Sequence, residues 1–164
     1  MTRRLRCISA RTPTISGVCY FTVLSTTSDA DLSLADTPLL RFDAALPGVP
    51  EERYLAHAHR WLVRSRSGCS CQLRHLAGPT EDFGFCEPVD WFPEEAEDVE
   101  ATRQFAAIIG DLVRRGERVD CVDAWGHPGR ELAPLAGDVE VDLSVVAAAS
   151  FRFFENQRFS FVAS

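Results

Sequence analysis

Residues 94–125 join one amphipathic helix to a strand that is apolar on both faces, and few folds accommodate that pair. Acidic residues lead the segment and Gly116 ends it, which suits the positive N-terminal end and the C-terminal cap of a helix. Five apolar side chains recur near helical spacing: Val99, Phe105, Ile109, Leu112 and Val113. Residues 119–125 follow at once with apolar side chains on both faces, as in an interior strand. The pattern predicts a long helix over about residues 94–116 that lies on a sheet.

The other ordered segments have the period of strands rather than of helices. Apolar residues alternate or cluster in short β-branched and aromatic runs at 18–24, 39–42, 139–143 and 151–161. We therefore predict an α+β fold in which a mostly antiparallel sheet packs on the one long helix in two layers. A chain of 164 residues fits one domain, which we place at residues 16–164, with residues 1–15 as a disordered leader.

Charge and hydropathy exclude several classes of function. The formal net charge is −7, and after residue 28 the chain has 13 arginines against 24 acidic residues. A nucleic-acid-binding protein presents a basic stripe to the phosphates, so nucleic acid is not the expected partner. The sequence has no apolar run long enough to span a bilayer and no apolar segment typical of a signal peptide. The chain is predicted to be cytoplasmic, without a membrane partner and with its six cysteines reduced.

The acidic–aromatic segment, residues 81–100, contains nine acidic residues and no arginine. Interface cores favour aromatic side chains, and charge speeds the encounter with an oppositely charged partner. The candidate binding residues are Phe83, Phe85, Trp91, Phe92, Glu94, Glu95, Glu97 and Asp98. The alternative is a solvated helix start with its aromatic rings in the core. The first interpretation predicts a protein-binding module, regulatory or immunity-type, with another protein of basic charge as its partner.

Cys69-x-Cys71 supports an alternative function that depends on thiols or on a metal. We expect residues 53–66 and 69–76 to form a hairpin around Ser67-Gly68, with both thiols on one face. Cys86 follows in a loop and could complete a zinc site, so zinc is a possible cofactor, although no cofactor is expected. Arg64 and Arg66 would face the thiols in this hairpin and lower their pKa values, which would make them reactive. Ordinary core packing of two small side chains is the third interpretation.

A third candidate site lies after the interior strand. His127 falls in a Gly-Pro loop, and Asp123 lies on the strand before it, so the two could face one pocket. No nucleophile motif such as Gly-x-Ser-x-Gly accompanies them, so an enzyme is not the preferred interpretation. The alternative for His127 is an ordinary turn residue.

The run from Tyr54 to Phe161 resembles uncharacterised families of small bacterial α+β proteins. The shared parts are the Cys69-x-Cys71 hairpin, the acidic-led helix, a Val-Asp-x-Val-Asp-x-Trp strand at 119–125 and a Phe-x-Phe segment at 151–161. The resemblance covers about two thirds of the chain and supports the α+β class. It implies no activity and transfers no functional residue.

Overall fold

The computed structural model describes residues 18–126, 129, 131–132 and 134–164. Within these residues, eight strands and one α-helix follow one another in the order β1 to β4, α1, β5 to β8. The strands are β1 Cys19–Thr26, β2 Leu40–Asp43, β3 His59–Ser65, β4 His75–Leu76, β5 Val119–Gly126, β6 Gly137–Asp142, β7 Phe153–Phe154 and β8 Gln157–Val162. The helix α1 is Ala96–Arg114, and short 3₁₀ turns occupy Leu32–Ala35, Pro50–Tyr54, Gly78–Phe83 and Ala148–Ser150.

Six of the strands form one sheet in the order β2-β3-β1-β5-β8-β6. All neighbours in this sheet are antiparallel except β6 and β8, which are parallel. The two-residue strands β4 and β7 pair separately and in parallel. The α+β class and the mostly antiparallel sheet are thus confirmed. β5 lies in the interior of the sheet, as its two apolar faces predict, and β1 lies beside it.

The helix α1 is shorter than the acidic residues before it suggest. It has 19 residues instead of the 23 predicted for 94–116: it begins two residues later, because Glu95 has extended backbone and acts as the N-cap, and it ends two residues earlier, at Arg114. The prediction of a long helix was wrong, and the sheet dominates the fold. Among the described residues, no helix has the length and apolar character that crossing a membrane requires. The prediction of a leader at 1–15 falls outside the described residues.

Both faces of the sheet are covered. On one face Leu24, Cys121 and Phe159 pack with Phe105 and Ile109 of α1 in the larger apolar cluster. Because side chains alternate along a strand, the neighbouring positions point the other way. They form a smaller apolar cluster, which is covered by the 3₁₀ turn at Pro50–Tyr54 and by the loop after β3. The strands contribute Phe21, Val23, Leu62, Val122 and Ala124, and the covering segments contribute Val49, Leu55 and Cys69. This second cover brings the cysteines against the sheet.

The predicted hairpin of 53–66 with 69–76 was wrong. β3 pairs with β2 and β1, and residues 66–74 form turns and bends. Two serines explain the difference, since their hydroxyl groups offer the backbone partners that a strand ladder would otherwise supply. Ser65 Oγ donates to the Cys69 carbonyl at 2.7 Å, Ser70 Oγ donates to the Val63 carbonyl at 2.6 Å, and the Gln72 amide donates to Ser65 Oγ at 3.2 Å.

Candidate metal centre

Three cysteines meet where β1 begins. The sulfur atoms of Cys19, Cys69 and Cys71, which we call the cysteine cluster, all lie within 4.8 Å of one another. Cys19 is the first residue of β1, whereas the other two belong to the loop after β3. The cluster joins both members of the predicted Cys-x-Cys motif to a residue 50 positions earlier. Cys19 and Cys69 are buried and Cys71 is partly buried, so the cluster borders the surface on one side.

Ser70 holds the cysteine loop against β1. Its amide donates to the Tyr20 carbonyl at 3.1 Å, and its hydroxyl oxygen accepts from the Thr22 amide at 2.8 Å. Its own hydroxyl proton goes to the Val63 carbonyl of β3. Ser70 is fully buried and takes the place of a strand residue where β3 ends. These bonds fix the backbone on both sides of the residue and so place the sulfurs of Cys69 and Cys71.

The Cys69 sulfur also accepts a hydrogen bond. The amide of Cys71 donates to it at 3.4 Å, and the Ser67 hydroxyl lies 3.4 Å from it. Donors around a sulfur stabilise its thiolate form, which is the form that binds metal. A thiolate that only packs in a core has no need of such donors. The environment of Cys69 therefore favours a ligand role.

The two arginines that were expected to activate the thiols have other partners. Arg64 pairs with Asp43 at 2.6 Å and donates from Nε to the Gly68 carbonyl at 2.9 Å, and Arg66 pairs with Glu97 at 2.7 Å. The hydrogen bond with Cys69 and then burial raise the pKa of the Cys71 thiol far above its ordinary value. A raised pKa at Cys71 does not favour a reactive thiolate at that residue.

Cys86 does not join the cysteine cluster. Its carbonyl accepts a hydrogen bond from Arg74 Nη2 at 3.0 Å, in a different part of the molecule. Its place is taken by Cys19, which the sequence analysis placed in the strand at 18–24 and did not select as a ligand. No spacing rule connects residues 19 and 69, because only the packing of the loop against β1 brings them together. The alternation along β1, which puts Cys19 on the same face as Phe21, was the one available signal.

Asp123 has a histidine partner, but the partner is His75. The carboxylate Oδ2 lies 2.8 Å from His75 Nδ1, and the Ser70 carbonyl lies 2.7 Å from Nε2. A carboxylate and a carbonyl both accept, so both ring nitrogens carry protons and the ring is an imidazolium. The His75 side chain is 4% exposed and that of Asp123 is 0% exposed. His127, the predicted partner, lies outside the described residues.

The imidazolium lies against the ring of Tyr20. The two ring centroids are 3.8 Å apart and the planes differ by 3°. The Tyr20 hydroxyl donates to Glu155 Oε2 at 2.8 Å, and Asp123 Oδ1 accepts from the Thr22 hydroxyl at 2.9 Å. Burial alone would lower the pKa of His75, but the charge and hydrogen bond of Asp123 and the bond to Ser70 raise it above 6.5. The buried ion pair therefore holds Ser70, and with it the cysteine loop, from the side opposite the thiols.

The predicted acidic–aromatic residues are divided between surface and interior. Trp91 is 68% exposed, and Glu95 and Glu97 are exposed at the start of α1. The rings of Phe83, Phe85 and Phe92 pack against the larger apolar cluster. Asp98 lies 3.4 Å from Arg66. Glu94 turns inward to two buried arginines.

Those two arginines are Arg74 and Arg152, and with Glu94 they form the arginine–glutamate triad. Arg74 binds Glu94 through two hydrogen bonds of 2.8 Å, and Arg152 Nη2 donates to Glu94 Oε2 at 2.9 Å. The arginine side chains are each 1% exposed and that of Glu94 is 10% exposed. The sequence contained no signal for this network, because the three residues are 20 and 58 positions apart.

The residues of the cysteine cluster fit a metal with a preference for sulfur. Zinc binds thiolates at about 2.3 Å, and tetrahedral angles then put two sulfurs about 3.8 Å apart. Sulfurs within 4.8 Å of one another need to approach by no more than about 1 Å to meet this geometry. Three cysteines lie close together and could hold a metal. Comparison of the chain with protein-family models, curated proteins and solved structures gives no match.

Proposed function

We propose that the protein binds one Zn²⁺ ion through Cys19, Cys69 and Cys71. The observation that carries this proposal is the convergence of three sulfurs within 4.8 Å of one another, one from the start of β1 and two from a pinned loop. Thiolates favour Zn²⁺ and Cu⁺ over Mg²⁺ or Ca²⁺, which prefer oxygen ligands. Zinc is the choice because three sulfurs leave a place for a fourth ligand in a tetrahedral site.

The residues around the cysteine cluster support the proposal. Metal ligands are usually oriented by an outer layer of hydrogen bonds that limits their movement. Here the Cys71 amide and the Ser67 hydroxyl lie at the Cys69 sulfur. Ser70 ties the loop to β1, and the carbonyl of Ser70 is held by His75. The loop therefore approaches the geometry of a site before any ion binds, which lowers the entropy cost of binding.

Replacing Cys69 by serine is expected to abolish stoichiometric zinc binding. The hydroxyl is a far weaker zinc ligand than a thiolate. Loss of a hydrogen bond to a ligand costs about 10- to 100-fold in metal affinity, and loss of the ligand itself should cost more. The measurement is native mass spectrometry after purification without chelator, followed by zinc titration against a chromophoric chelator. Wild type should carry one zinc per chain, and Cys69→Ser should carry none.

Cys86→Ser and Cys121→Ser are the matched controls, since each removes a thiol that lies outside the cysteine cluster. Both should keep the affinity of the wild type. If the wild type takes up no zinc when the ion is supplied, or if folded Cys69→Ser binds zinc as tightly as the wild type does, the proposal is wrong. If the protein prefers Cu⁺ in the same titration, the cysteine cluster is still the metal site, but its metal is copper and not zinc.

Binding of a basic protein through the acidic–aromatic segment stays a second proposal. The observation in its favour is Trp91, a large aromatic side chain that is 68% exposed beside the ring of Phe83. Tryptophan is enriched among the residues that dominate binding energy. Trp91→Ala should weaken co-purification of a basic partner by more than about tenfold. Leu34→Ala, which removes a side chain that is 86% exposed, should not weaken it. Equal recovery with both variants would exclude Trp91 as a contact.

A further inference from the structure

The Arg152 side chain is fully buried, yet most of its hydrogen-bonding capacity is unused. Its Nη2 donates to Glu94 Oε2 at 2.9 Å. Its Nε and Nη1 are buried and have no hydrogen-bond partner in the part of the chain that the structure describes. A guanidinium has five N–H donors, so a single bond leaves four without an acceptor. Leaving buried charged donors unpaired is costly, which points to a missing acceptor.

The arginine–glutamate triad also has an excess of positive charge. Two guanidinium groups face one carboxylate, so the triad carries a net charge of +1. Arg74 is saturated, because it binds both oxygens of Glu94 and the carbonyls of Cys86, Ala149 and Phe151. The excess therefore belongs to Arg152. A buried water could accept N–H hydrogen bonds but would leave the charge uncompensated.

The geometry of a guanidinium defines what the missing acceptor looks like. Its donors form two forks of parallel N–H bonds, one from Nε and Nη2 and one from Nη1 and Nη2. Glu94 Oε2 accepts from Nη2 alone, so it occupies one fork at most. The other fork remains whole. Two parallel donors match two oxygens of one planar group, as in a carboxylate.

Phe92 lies against Arg152. The centre of its ring is 5.7 Å from Cζ of Arg152, a distance at which the ring attracts the cation but cannot accept two directed hydrogen bonds. Residues 87–93, between the anchored residues Phe85 and Glu94, are mostly exposed and contain no helix or strand beyond a single bridge between Val89 and Phe92. A short exposed segment with so few backbone bonds opens locally at low free-energy cost. Movement of this segment would give an anion access to Arg152.

We infer that Arg152 is the binding site of a small monovalent carboxylate, seated beneath Phe92 on the free fork of the guanidinium. The ligand supplies the single negative charge that the triad lacks and accepts the two parallel N–H bonds. The site shares no residue with the cysteine cluster, so it stands independently of zinc binding.

Formate is the probe that tests this site. The unfolding temperature of the full chain is measured while sodium formate replaces sodium fluoride at constant ionic strength. A ligand that binds only the folded state raises this temperature in step with the logarithm of its concentration once the site fills. The wild type should show this rise. Arg152→Met should abolish it, and Arg103→Met should retain it, because Arg103 is an exposed arginine paired with Glu100 on α1.

The variant Arg152→Lys tests whether binding needs the paired N–H donors of the guanidinium or only its positive charge. An ammonium keeps the charge but lacks two parallel donors, so formate should bind about tenfold more weakly or worse. Arg152→Met should fold, because Arg74 and Glu94 remain balanced. For a readout independent of these variants, the ¹³C signal of labelled formate should broaden when native wild-type protein is added. Equal formate responses in wild type and Arg152→Met, equal affinity in Arg152→Lys, or an unbroadened signal would overturn the inference.

Discussion

Replacing Glu94 by glutamine is expected to remove a large part of the stability of the protein. The substitution leaves two buried guanidinium groups without a carboxylate between them, and the new amide turns N–H donors toward N–H donors. Arginine cannot lose its proton to relieve this conflict. Removing one partner of a buried ion pair costs about 3–5 kcal/mol. Since domains of this size have about 5–15 kcal/mol in total, much of the stability should be lost.

Denaturant unfolding of wild type and Glu94→Gln measures this loss, and the thermal midpoint should fall by about 10 °C. Glu97→Gln is the matched control. It removes an acidic group only three residues away, but Glu97 is exposed and its pair with Arg66 is worth less than about 1 kcal/mol. If the two variants unfold at the same denaturant concentration, the triad does not contribute as its burial implies.

Replacing Asp123 by alanine should have an effect of similar size, about 3–5 kcal/mol. The change leaves the His75 imidazolium without its counter-ion and the buried Thr22 hydroxyl without its acceptor. Asp123→Asn is the conservative comparison and should cost far less. Its amide can donate to Nδ1 of a neutral His75, while Nε2 keeps its proton for the Ser70 carbonyl. Chemical denaturation of the metal-free proteins compares the three chains. Equal stability of wild type and Asp123→Ala would contradict the ion pair.

The pH dependence of stability distinguishes the two charge states of His75. In wild type the folded pKa lies above 6.5, so the stabilisation is complete below 6.5 and is lost as pH rises through the folded pKa. In Asp123→Asn the folded ring is neutral, so stability should instead increase as pH rises through about 6.5. The window of about pH 6 to 8 lies below the ordinary range of thiols. The same slope in both proteins would exclude the imidazolium.

Periodicity predicted the elements whose side chains carry the core. The apolar stripe of α1 and the alternation along β1 and β5 each bury one face of an element. Such a face is visible as a periodic pattern of apolar residues within a short stretch of sequence. The class of fold and the interior position of β5 could therefore be predicted from the sequence. The start of the helix could not, because the acidic residues before it gave no signal that Glu95 has extended backbone.

Most of the candidate site depends on contacts between distant residues. The spacing of Cys69 and Cys71 predicted that their thiols lie close together. Cys19 joins them only because Ser70 binds the loop to β1. Asp123 was identified as a candidate, but its contact with His75 was not predicted, since nothing local places His75 next to it. Local patterns report which faces are buried, whereas buried polar pairs are chosen by tertiary packing.

The two ends of the six-stranded sheet carry a further consequence for self-association. A border strand has unpaired backbone groups that can template pairing with another molecule, and proteins oppose this with charge. In the part of the chain that the structure describes, the sheet ends at β2 and β6. The β6 border bears Asp138, Glu140 and Asp142 within six residues. Two copies meeting at this border would bring carboxylate against carboxylate, so the acidity of the chain also acts as a barrier to edge-to-edge aggregation.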